Sequence, residues 1–193
     1  MPVSDPPPTL LDKSSMAACI DRLAAEICQG SQGSQGSQGA RCLALVGIHR
    51  RGVPLAQRIA AAIRRSGPCA EIVTGTIDVT QYRDDLQTMK RLPKLEGSDI
   101  PFDVEDSHVV ICDEVLYTGR TIRAAIDELM SFGRPRRIQL AILVDRGGRE
   151  LPIQPDYTGL LHPVPAGKHI RVQFEEVDGL DTVFVQPWIT PTP

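Results

Sequence analysis

Two adjacent carboxylates precede a turn rich in threonine and glycine in the segment VVICDEVLYTGRT, residues 109–121. Asp113 and Glu114 follow a short aliphatic run, and the turn TGRT at 118–121 leads into a helical pattern. The first turn of a helix offers free backbone N–H groups and a positive dipole, which together favour a phosphate. Carboxylates repel a phosphate but accept hydrogen bonds from vicinal hydroxyls, directly or through magnesium-bound water. The pattern therefore predicts a site for a sugar phosphate.

Hydrophobic runs alternate with helical patterns through the middle of the chain, and these elements must position the site. Buried strands are predicted at 42–46, 70–77, 108–112 and 138–144, with further β segments near 157–161, 169–174 and 181–185. Helices are predicted from Met16, with Ser14 or Ser15 as cap, at 53–65, and from about Ile122 to Phe132. We therefore expect an α/β domain with a mostly parallel sheet, whose strand ends share one ligand-binding edge.

Composition at the two ends and in two internal segments indicates where the domain is irregular. Residues 1–12 carry four of the 16 prolines and are expected to form a mobile tail, as are residues 186–193. The repeat GSQGSQGSQG at 30–39 is expected to be a flexible surface loop within a single domain spanning 13–185. The polar segment 78–107 is expected to be either an active-site lid or an ordinary loop or small hairpin.

The overall composition excludes several classes of protein. A net charge of −3 disfavours a whole-surface phosphate-backbone binder, and 4% aromatic residues disfavour base-stacking platforms. No run approaches the roughly 20 apolar residues that span a bilayer, and the proline-rich N-terminus is unlike a secretory signal. The five cysteines include no C-x-x-C pair, and three lie in apolar runs, which indicates buried thiols rather than a disulfide framework or zinc site. We expect a cytoplasmic protein.

The segment VVICDEVLYTGRT resembles the PRPP-binding motif of type I phosphoribosyltransferases. The resemblance extends through VGIHRRG, GTIDVTQYRDDL, GRPRRIQLAILVDRGGRELPI and EEVDGLD, and together these segments resemble the PyrR family. Members of that family are described as attenuation regulators of pyrimidine operons and as uracil phosphoribosyltransferases. The resemblance covers roughly residues 14–185, with the SQG repeat as an insertion. It implies the type I phosphoribosyltransferase fold, with a lid loop and a small C-terminal hood over the base.

The resemblance also implies a reaction, a cofactor and partners. Uracil and PRPP, with Mg²⁺, would give UMP and diphosphate in pyrimidine salvage, and the chain would form a homodimer or larger homo-oligomer. An alternative is a non-catalytic nucleotide sensor that binds RNA. Where the family usually has two aspartates, this chain has Asp113 and Glu114, and glutamate keeps the charge and the acceptor atoms.

Site residues follow from the resemblance, position by position. Asp113 and Glu114 would hold the ribose hydroxyls, and Arg50 and Arg51 the departing diphosphate; the predicted catalytic residues are Asp113, Glu114 and Arg51. Arg83, with Lys90 or Arg91, would reach the phosphates when the lid closes. The expected 5′-phosphate loop comprises Val115, Leu116, Tyr117, Thr118, Gly119, Arg120 and Thr121. Within it, the Tyr117 ring is expected to make a packing or lid contact. The expected uracil contacts are Asp145, Arg146 and backbone near Ile170. The structural alternatives are a solvated acidic turn at 113–114, surface charge at 50–51 and an ion-paired loop at 145–146.

RNA is the partner that the residues support least. Five arginines between 134 and 149 could form a basic patch: Arg134, Arg136, Arg137, Arg146 and Arg149. In RNA-contacting members of the family, however, a Thr and a His stand on the first helix where this chain has Asp21 and Ala25. Those members also have a His at the position of Gly148 and an Arg at that of Gln154, so that only Arg149 is retained. We expect transferase activity to be retained. UMP-responsive attenuation of pyrimidine genes through RNA binding is a second activity that the resemblance implies, and these residues argue against it.

Overall fold

Hydrophobic runs and amphipathic helices alternate along the computed structural model, which describes residues 8–32, 42–67, 71–79, 97–165 and 167–187. Strands β2 to β6 form a parallel sheet in the order β3-β2-β4-β5-β6, and a second, antiparallel sheet has the order β1-β8-β7. The elements in chain order are β1 (Thr9–Leu11), α1 (Lys13–Gln32), β2 (Leu43–Ile48), α2 (Gly52–Ser66), β3 (Ile72–Ile77), β4 (His108–Leu116), α3 (Arg120–Ser131), β5 (Arg137–Asp145), β6 (Tyr157–Leu161), β7 (Lys168–Gln173), α4 (Glu175–Asp178) and β8 (Thr182–Pro187).

The central strands bury both of their faces. Along β2, Leu43 and Leu45 pack in a core with α1 and α2, whereas Ala44 and Val46 pack on the opposite side with α3. Continuous aliphatic runs suit this environment, because a parallel sheet is covered by helices on both faces. The predicted α/β architecture with a mostly parallel sheet and a small C-terminal unit is confirmed.

The N-terminal segment differs from the prediction of a mobile tail over 1–12. Residues 9–11 form β1, which pairs with β8 and places Leu10 and Leu11 against the core. The cap of α1 is Asp12 rather than Ser14 or Ser15. Its carboxylate accepts a hydrogen bond from Ser15 N (2.8 Å), and Asp12 N donates to Ser15 Oγ (2.9 Å). Hydrogen bonds from Ser15 lower the pKa of Asp12 to about 2.

Other boundaries moved by a few residues. α1 continues through residues 30–32, so the SQG segment begins as helix, and the remainder of the repeat lies outside the described residues. β8 includes Gln186 and Pro187, which were expected to belong to the C-terminal tail. Most of the predicted lid, including Arg83, Lys90 and Arg91, lies outside the described residues.

The prediction that the cysteines are buried thiols without disulfides is correct only in part. Cys19 and Cys112 are buried free thiols and Cys42 is a half-buried one, as the apolar runs predicted, but Cys28 is disulfide-bonded. Within the described ranges, no helix is long and apolar enough to cross a membrane.

The C-terminal turn is tied to α2 through Arg58. This side chain donates hydrogen bonds from Nε and Nη2 to Glu176 (2.8 and 2.7 Å) and from Nη2 to Asp181 (2.7 Å). Its guanidinium also lies 5.1 Å from the centroid of the buried Phe174 ring. Because the Asp181 side chain is only 4% exposed, its charge depends on Arg58 for compensation.

We predict that Arg58→Gln lowers the free energy of unfolding at neutral pH by about 2 kcal/mol, since it leaves a buried carboxylate without its cation. The hydrogen bond from Arg58 lowers the pKa of Glu176. Burial raises the pKa of Asp181, but the hydrogen bonds from Arg58 and Glu175 N, together with the charges of Arg58 and Lys13, bring it below its ordinary value. The stabilisation is therefore present above the ordinary carboxyl pKa of about 4 and is lost as pH falls further. Urea titrations at several pH values measure both effects.

Arg123→Gln is the matched control, because it removes an arginine whose partner Asp127 lies on the surface of the same helix. The two side chains are 69% and 52% exposed, so the expected loss is below about 0.5 kcal/mol. If Arg58→Gln cost no more than this control, or cost as much at about pH 3 as at neutral pH, Arg58 would not compensate these carboxylates.

Candidate active site

β4 carries both carboxylates of the predicted motif within its last four residues rather than after its end. Asp113 is 6% exposed and pairs in register with Ile142 of β5, and its Oδ1 accepts a hydrogen bond from Glu114 N (2.9 Å). Glu114 is half-buried. The strand is therefore longer than predicted, and the acids are held by the sheet rather than by a solvated turn.

The turn after β4 leads directly into α3. Gly119 is the residue before the helix, with φ of +93°, a left-handed conformation that favours glycine. A Cβ there would meet Leu151 and Ile153 only at ordinary contact distance, so conformation rather than space explains this glycine. Thr118 Oγ1 accepts a hydrogen bond from Arg120 N (3.3 Å). The first N–H groups of α3 have no intrahelical acceptor and lie at the carboxyl end of β4, as a phosphate site requires.

The loop after β2 brings two arginines to the same edge. Its peptide bond between His49 and Arg50 is cis, and Arg50 is exposed. Gly52 packs against β4 so closely that a Cβ would lie 2.3 Å from the carbonyl oxygen of Cys112 and 3.3 Å from Cα of Asp113. The start of α2 is thereby held directly beside the carboxylates.

Arg51 forms a bidentate ion pair with Asp178 of α4. Nε and Nη2 donate to the two carboxylate oxygens at 3.0 and 2.6 Å, and the side chains are 21% and 10% exposed. These hydrogen bonds lower the pKa of Asp178. They also raise the pKa of Arg51, to which the charge of Glu114 contributes further. Arg51 is thus within electrostatic reach of the motif but is also anchored to the C-terminal turn.

The end of β5 and the segment after it hold a buried ion pair and a buried arginine; β5 runs one residue further than predicted and includes Asp145. Asp145 is 7% exposed and accepts hydrogen bonds from Gly147 N (2.9 Å) and Arg149 Nη2 (2.5 Å). Arg146 is 6% exposed, its guanidinium carbon lies 3.9 Å from the centroid of the Tyr117 ring, and its Nε has no hydrogen-bond partner among the described residues. The two predicted uracil contacts therefore differ. The Asp145 carboxylate holds the loop through its hydrogen bonds, whereas the Nε of Arg146 remains a donor without a partner among the described residues.

Backbone hydrogen bonds join this segment to the turn after β4. The carbonyl of Leu116 accepts from Arg146 N (3.1 Å), and that of Thr118 accepts from Glu150 N (3.0 Å) and Leu151 N (3.1 Å). Arg149 Nη1 donates to the carbonyl of Tyr117 (3.1 Å). The predicted phosphate loop and the predicted base segment therefore form one connected body.

β7 approaches the same region from the C-terminal sheet. The pKa of His169, in this strand, is lowered by burial and, in smaller part, by the charges of Arg171 and Arg146. The side chain of the neighbouring Ile170 is 7% exposed and packs in the core, so any ligand contact at this residue would have to come from its backbone.

The five arginines between 134 and 149 do not form one patch. Arg134, Arg136 and Arg137 lie at the start of β5, whereas the other two follow its end, roughly 26 Å away at the usual rise per residue. Arg146 is buried, and Arg149 is committed to Asp145 and to backbone carbonyls. The expected basic surface is therefore divided between opposite edges of the sheet.

The geometry can be compared with known proteins. The family described as phosphoribosyl transferase domain matches residues 9–176. The chain is 48% identical over 177 residues to the bifunctional protein PyrR of Roseiflexus sp. (strain RS-1), an overlap of 91% of this chain and 93% of the relative. The bifunctional protein PyrR of Thermus thermophilus is 47% identical over 174 residues, with 90% and 92% covered. The chain belongs to the PyrR family.

Solved structures give the same fold at lower identity than the PyrR sequences. A hypoxanthine phosphoribosyltransferase from Trypanosoma cruzi superposes with a TM-score of 0.70 at 18% identity, covering 93% of this chain and 95% of that one. A second structure of that enzyme gives 0.71 at 18% identity, with 92% and 90% covered. The type I phosphoribosyltransferase fold implied by the sequence is confirmed, and the PyrR relatives supply the family within it.

Sequence reasoning missed the contact that anchors Arg51 in this PyrR-family chain. Asp178 lies in the EEVDGLD segment, which carried a resemblance but no assigned role, and its partner is 127 residues away. A carboxylate-rich turn before a C-terminal strand was the available signal. It identifies a charge but not the cation that the fold places beside it.

Proposed function

We propose that the chain transfers the 5-phosphoribosyl group of PRPP to uracil. The bond from the anomeric carbon to diphosphate breaks, a bond to the ring nitrogen of uracil forms, and the nitrogen proton leaves to solvent. The observation that carries the proposal is the convergence of three features at one sheet edge: an acid pair, the N-terminus of α3, and the arginines at 50–51.

The phosphate and the ribose hydroxyls would bind side by side. Backbone N–H groups at the start of α3 and the hydroxyls of Thr118 and Thr121 provide donors for a 5′-phosphate. Asp113 and Glu114 provide acceptors for the ribose hydroxyls, directly behind that turn. Glu114 replaces the usual aspartate of the family and keeps its charge, which contributes to the raised pKa of Arg51.

The leaving group needs positive charge, because diphosphate departs from an oxocarbenium-like carbon. Arg50 and Arg51 provide it from the loop after β2. The ion pair with Asp178 restrains Arg51 and limits how closely its side chain would approach the diphosphate. Arg50 is the more exposed of the two arginines. Because β4 lies between β2 and β5, these cations would lie on the side of the ribose opposite the base segment.

Magnesium suits this site as an ion that arrives with PRPP. Mg²⁺ usually keeps several waters and binds through one or two carboxylates together with substrate phosphates. Asp113 and Glu114 provide such oxygens, while no group of three His, Cys, Asp or Glu side chains in the described ranges is placed to hold a metal. These two acids would hold the ion through its waters, and the ion would neutralise charge on the departing diphosphate.

The base would lie against the segment after β5. Uracil presents two carbonyl oxygens, and the buried Arg146, with a donor nitrogen that has no partner among the described residues, suits one of them. Both oxygens of Asp145 already accept hydrogen bonds within the loop, so it acts as a positioning residue. Backbone at Ile170 of β7 completes the pocket.

A second activity is suggested by the relatives' name, which describes PyrR as bifunctional. The alternative function is a nucleotide-sensing protein that binds RNA without catalysis. The described residues favour it less, because Asp21 adds negative charge on α1, paired with Arg65 at 2.8 Å, and Arg149 is engaged within the chain.

We predict that the protein, with Mg²⁺ and PRPP, releases diphosphate on addition of uracil at least about tenfold faster than with hypoxanthine, guanine or orotate. A coupled diphosphate assay measures all four bases under the same conditions. Turnover on none of them would exclude the transferase and leave the nucleotide sensor, whereas preference for another base would change the assigned substrate.

We predict that Asp113→Asn and Glu114→Gln each lower kcat/KM for PRPP by about tenfold to a hundredfold, because a charged acceptor for the ribose hydroxyls is lost. Glu114→Asp should lose much less, since it keeps the charge. Asp127→Asn is the control, because it removes an exposed carboxylate on α3. Unchanged kinetics in both amide variants would refute the assigned roles.

We predict that selection from a randomised pool of RNA hairpins enriches no sequence that binds more tightly with UMP. Binding measured across salt concentrations should show only the weak, sequence-independent interaction expected of scattered arginines. The triple variant of the exposed residues Asp21→Thr, Ala25→His and Gln154→Arg should bind the pool more tightly. UMP-enhanced, sequence-selective binding by the natural chain would show that the regulatory activity is retained.

A further inference from the structure

Arg146 and Tyr117 form a stacked pair between the two predicted ligand loops. The guanidinium carbon lies 3.9 Å from the ring centroid, with Arg146 only 6% exposed and the tyrosine 44% exposed. A buried cation requires compensation, and the face of an aromatic ring provides part of it. The buried Nε remains without a hydrogen-bond partner among the described residues. The ring therefore supports the guanidinium without using that donor.

The backbone fixes both members of the pair. Arg146 N donates to the carbonyl of Leu116 (3.1 Å), and Arg149 donates to the carbonyl of Tyr117 (3.1 Å). The tyrosine belongs to the turn that leads to α3, and the arginine to the segment after β5. The stack is thus a side-chain contact between loops that are already joined through their backbones.

Gly148 leaves the space that the tyrosine ring occupies. A Cβ at this position would lie 2.5 Å from Cε2 and 3.0 Å from Cδ2 of Tyr117. The ring could not stay in place beside such an atom. The preceding Gly147 has nearly the same conformation, with φ of +70° against +79°, but a Cβ there would meet nothing within 4 Å. An alanine at either position would therefore introduce backbone strain, but only an alanine at position 148 would also collide with the ring.

We propose that Tyr117 is a positioning residue that holds the Arg146 guanidinium for the base, and that Gly148 keeps the ring in place. The inference rests on the proposed uracil site and adds a residue of the phosphate turn to base recognition. Removing the ring should weaken binding of the base and spare the phosphate, although Tyr117 lies in the phosphate turn. A purely structural role in that turn would affect the phosphate at least as much.

The test compares UMP with ribose 5-phosphate, which lacks the base, by equilibrium binding to the full chain. Tyr117→Leu should weaken UMP about tenfold and change ribose 5-phosphate less than about twofold. Tyr117→Phe keeps the ring and should retain most of the UMP affinity. In turnover, Tyr117→Leu should raise the KM for uracil by a similar factor with little change in the KM for PRPP.

The glycines provide a second, independent comparison. Gly148→Ala should weaken UMP about as much as Tyr117→Leu does, whereas Gly147→Ala, which introduces the backbone strain without the clash, should weaken it several-fold less. In the Tyr117→Leu background, Gly148→Ala should add less than about a twofold loss, because the clash has been removed. If Tyr117→Leu does not fold, the comparison of the two glycine variants decides the question.

Each result either supports or overturns the inference. Equal weakening of UMP and ribose 5-phosphate, no effect of Tyr117→Leu on UMP, or equal effects of the two glycine variants would overturn it. So would a natural chain that binds UMP no better than ribose 5-phosphate. A chain that shows the predicted binding pattern but no turnover of uracil would support the inference and refute the proposed transferase.

Discussion

β4 lies between β2 and β5, and parallel pairing on both sides sets its register. Cys112 pairs with Gly47, and Asp113 pairs with Ile142. A slip of one residue would exchange the faces of the two carboxylates and move the start of α3 away from the loop after β2. Gly52 lies so close to the Cys112 carbonyl that the start of α2 packs directly on β4. The acid pair, the phosphate turn and the arginines therefore share one edge because parallel pairing on both sides of β4 sets its register.

The loops at that edge form two groups with different anchors. The turn after β4 and the segment after β5 are joined by backbone hydrogen bonds, so phosphate and base would bind to one connected body. The loop after β2 is anchored instead to the C-terminal turn, through the ion pair of Arg51 with Asp178. Relative movement of the C-terminal turn would change the position of the cation for the leaving group without disturbing the phosphate turn. In the proposed site, the groups that would hold the ribose are therefore anchored separately from the arginine that would stabilise the departing diphosphate.

Local sequence was sufficient for the strands, for the order of elements and for the motif, because each depends on short runs of residue types. Aliphatic runs predicted β2, β4 and β5, and the acid pair with its turn was found within 13 residues of chain. Errors arose where partners are distant in sequence. β1 depends on pairing with β8, and the role of Arg51 depends on Asp178. The arginines between 134 and 149 show another limit of local sequence: they are near one another along the chain, but β5 separates them into two groups.

Gly148 connects the questions of base recognition and RNA recognition. The family resemblance places a histidine at this position in members that contact RNA. In this chain, any side chain there would collide with the Tyr117 ring, which lies over Arg146. A histidine would fit here only if the tyrosine ring or the loop shifted. The glycine leaves room for the stack beside the proposed base site, and a Gly148→His variant would therefore bear on both proposed activities.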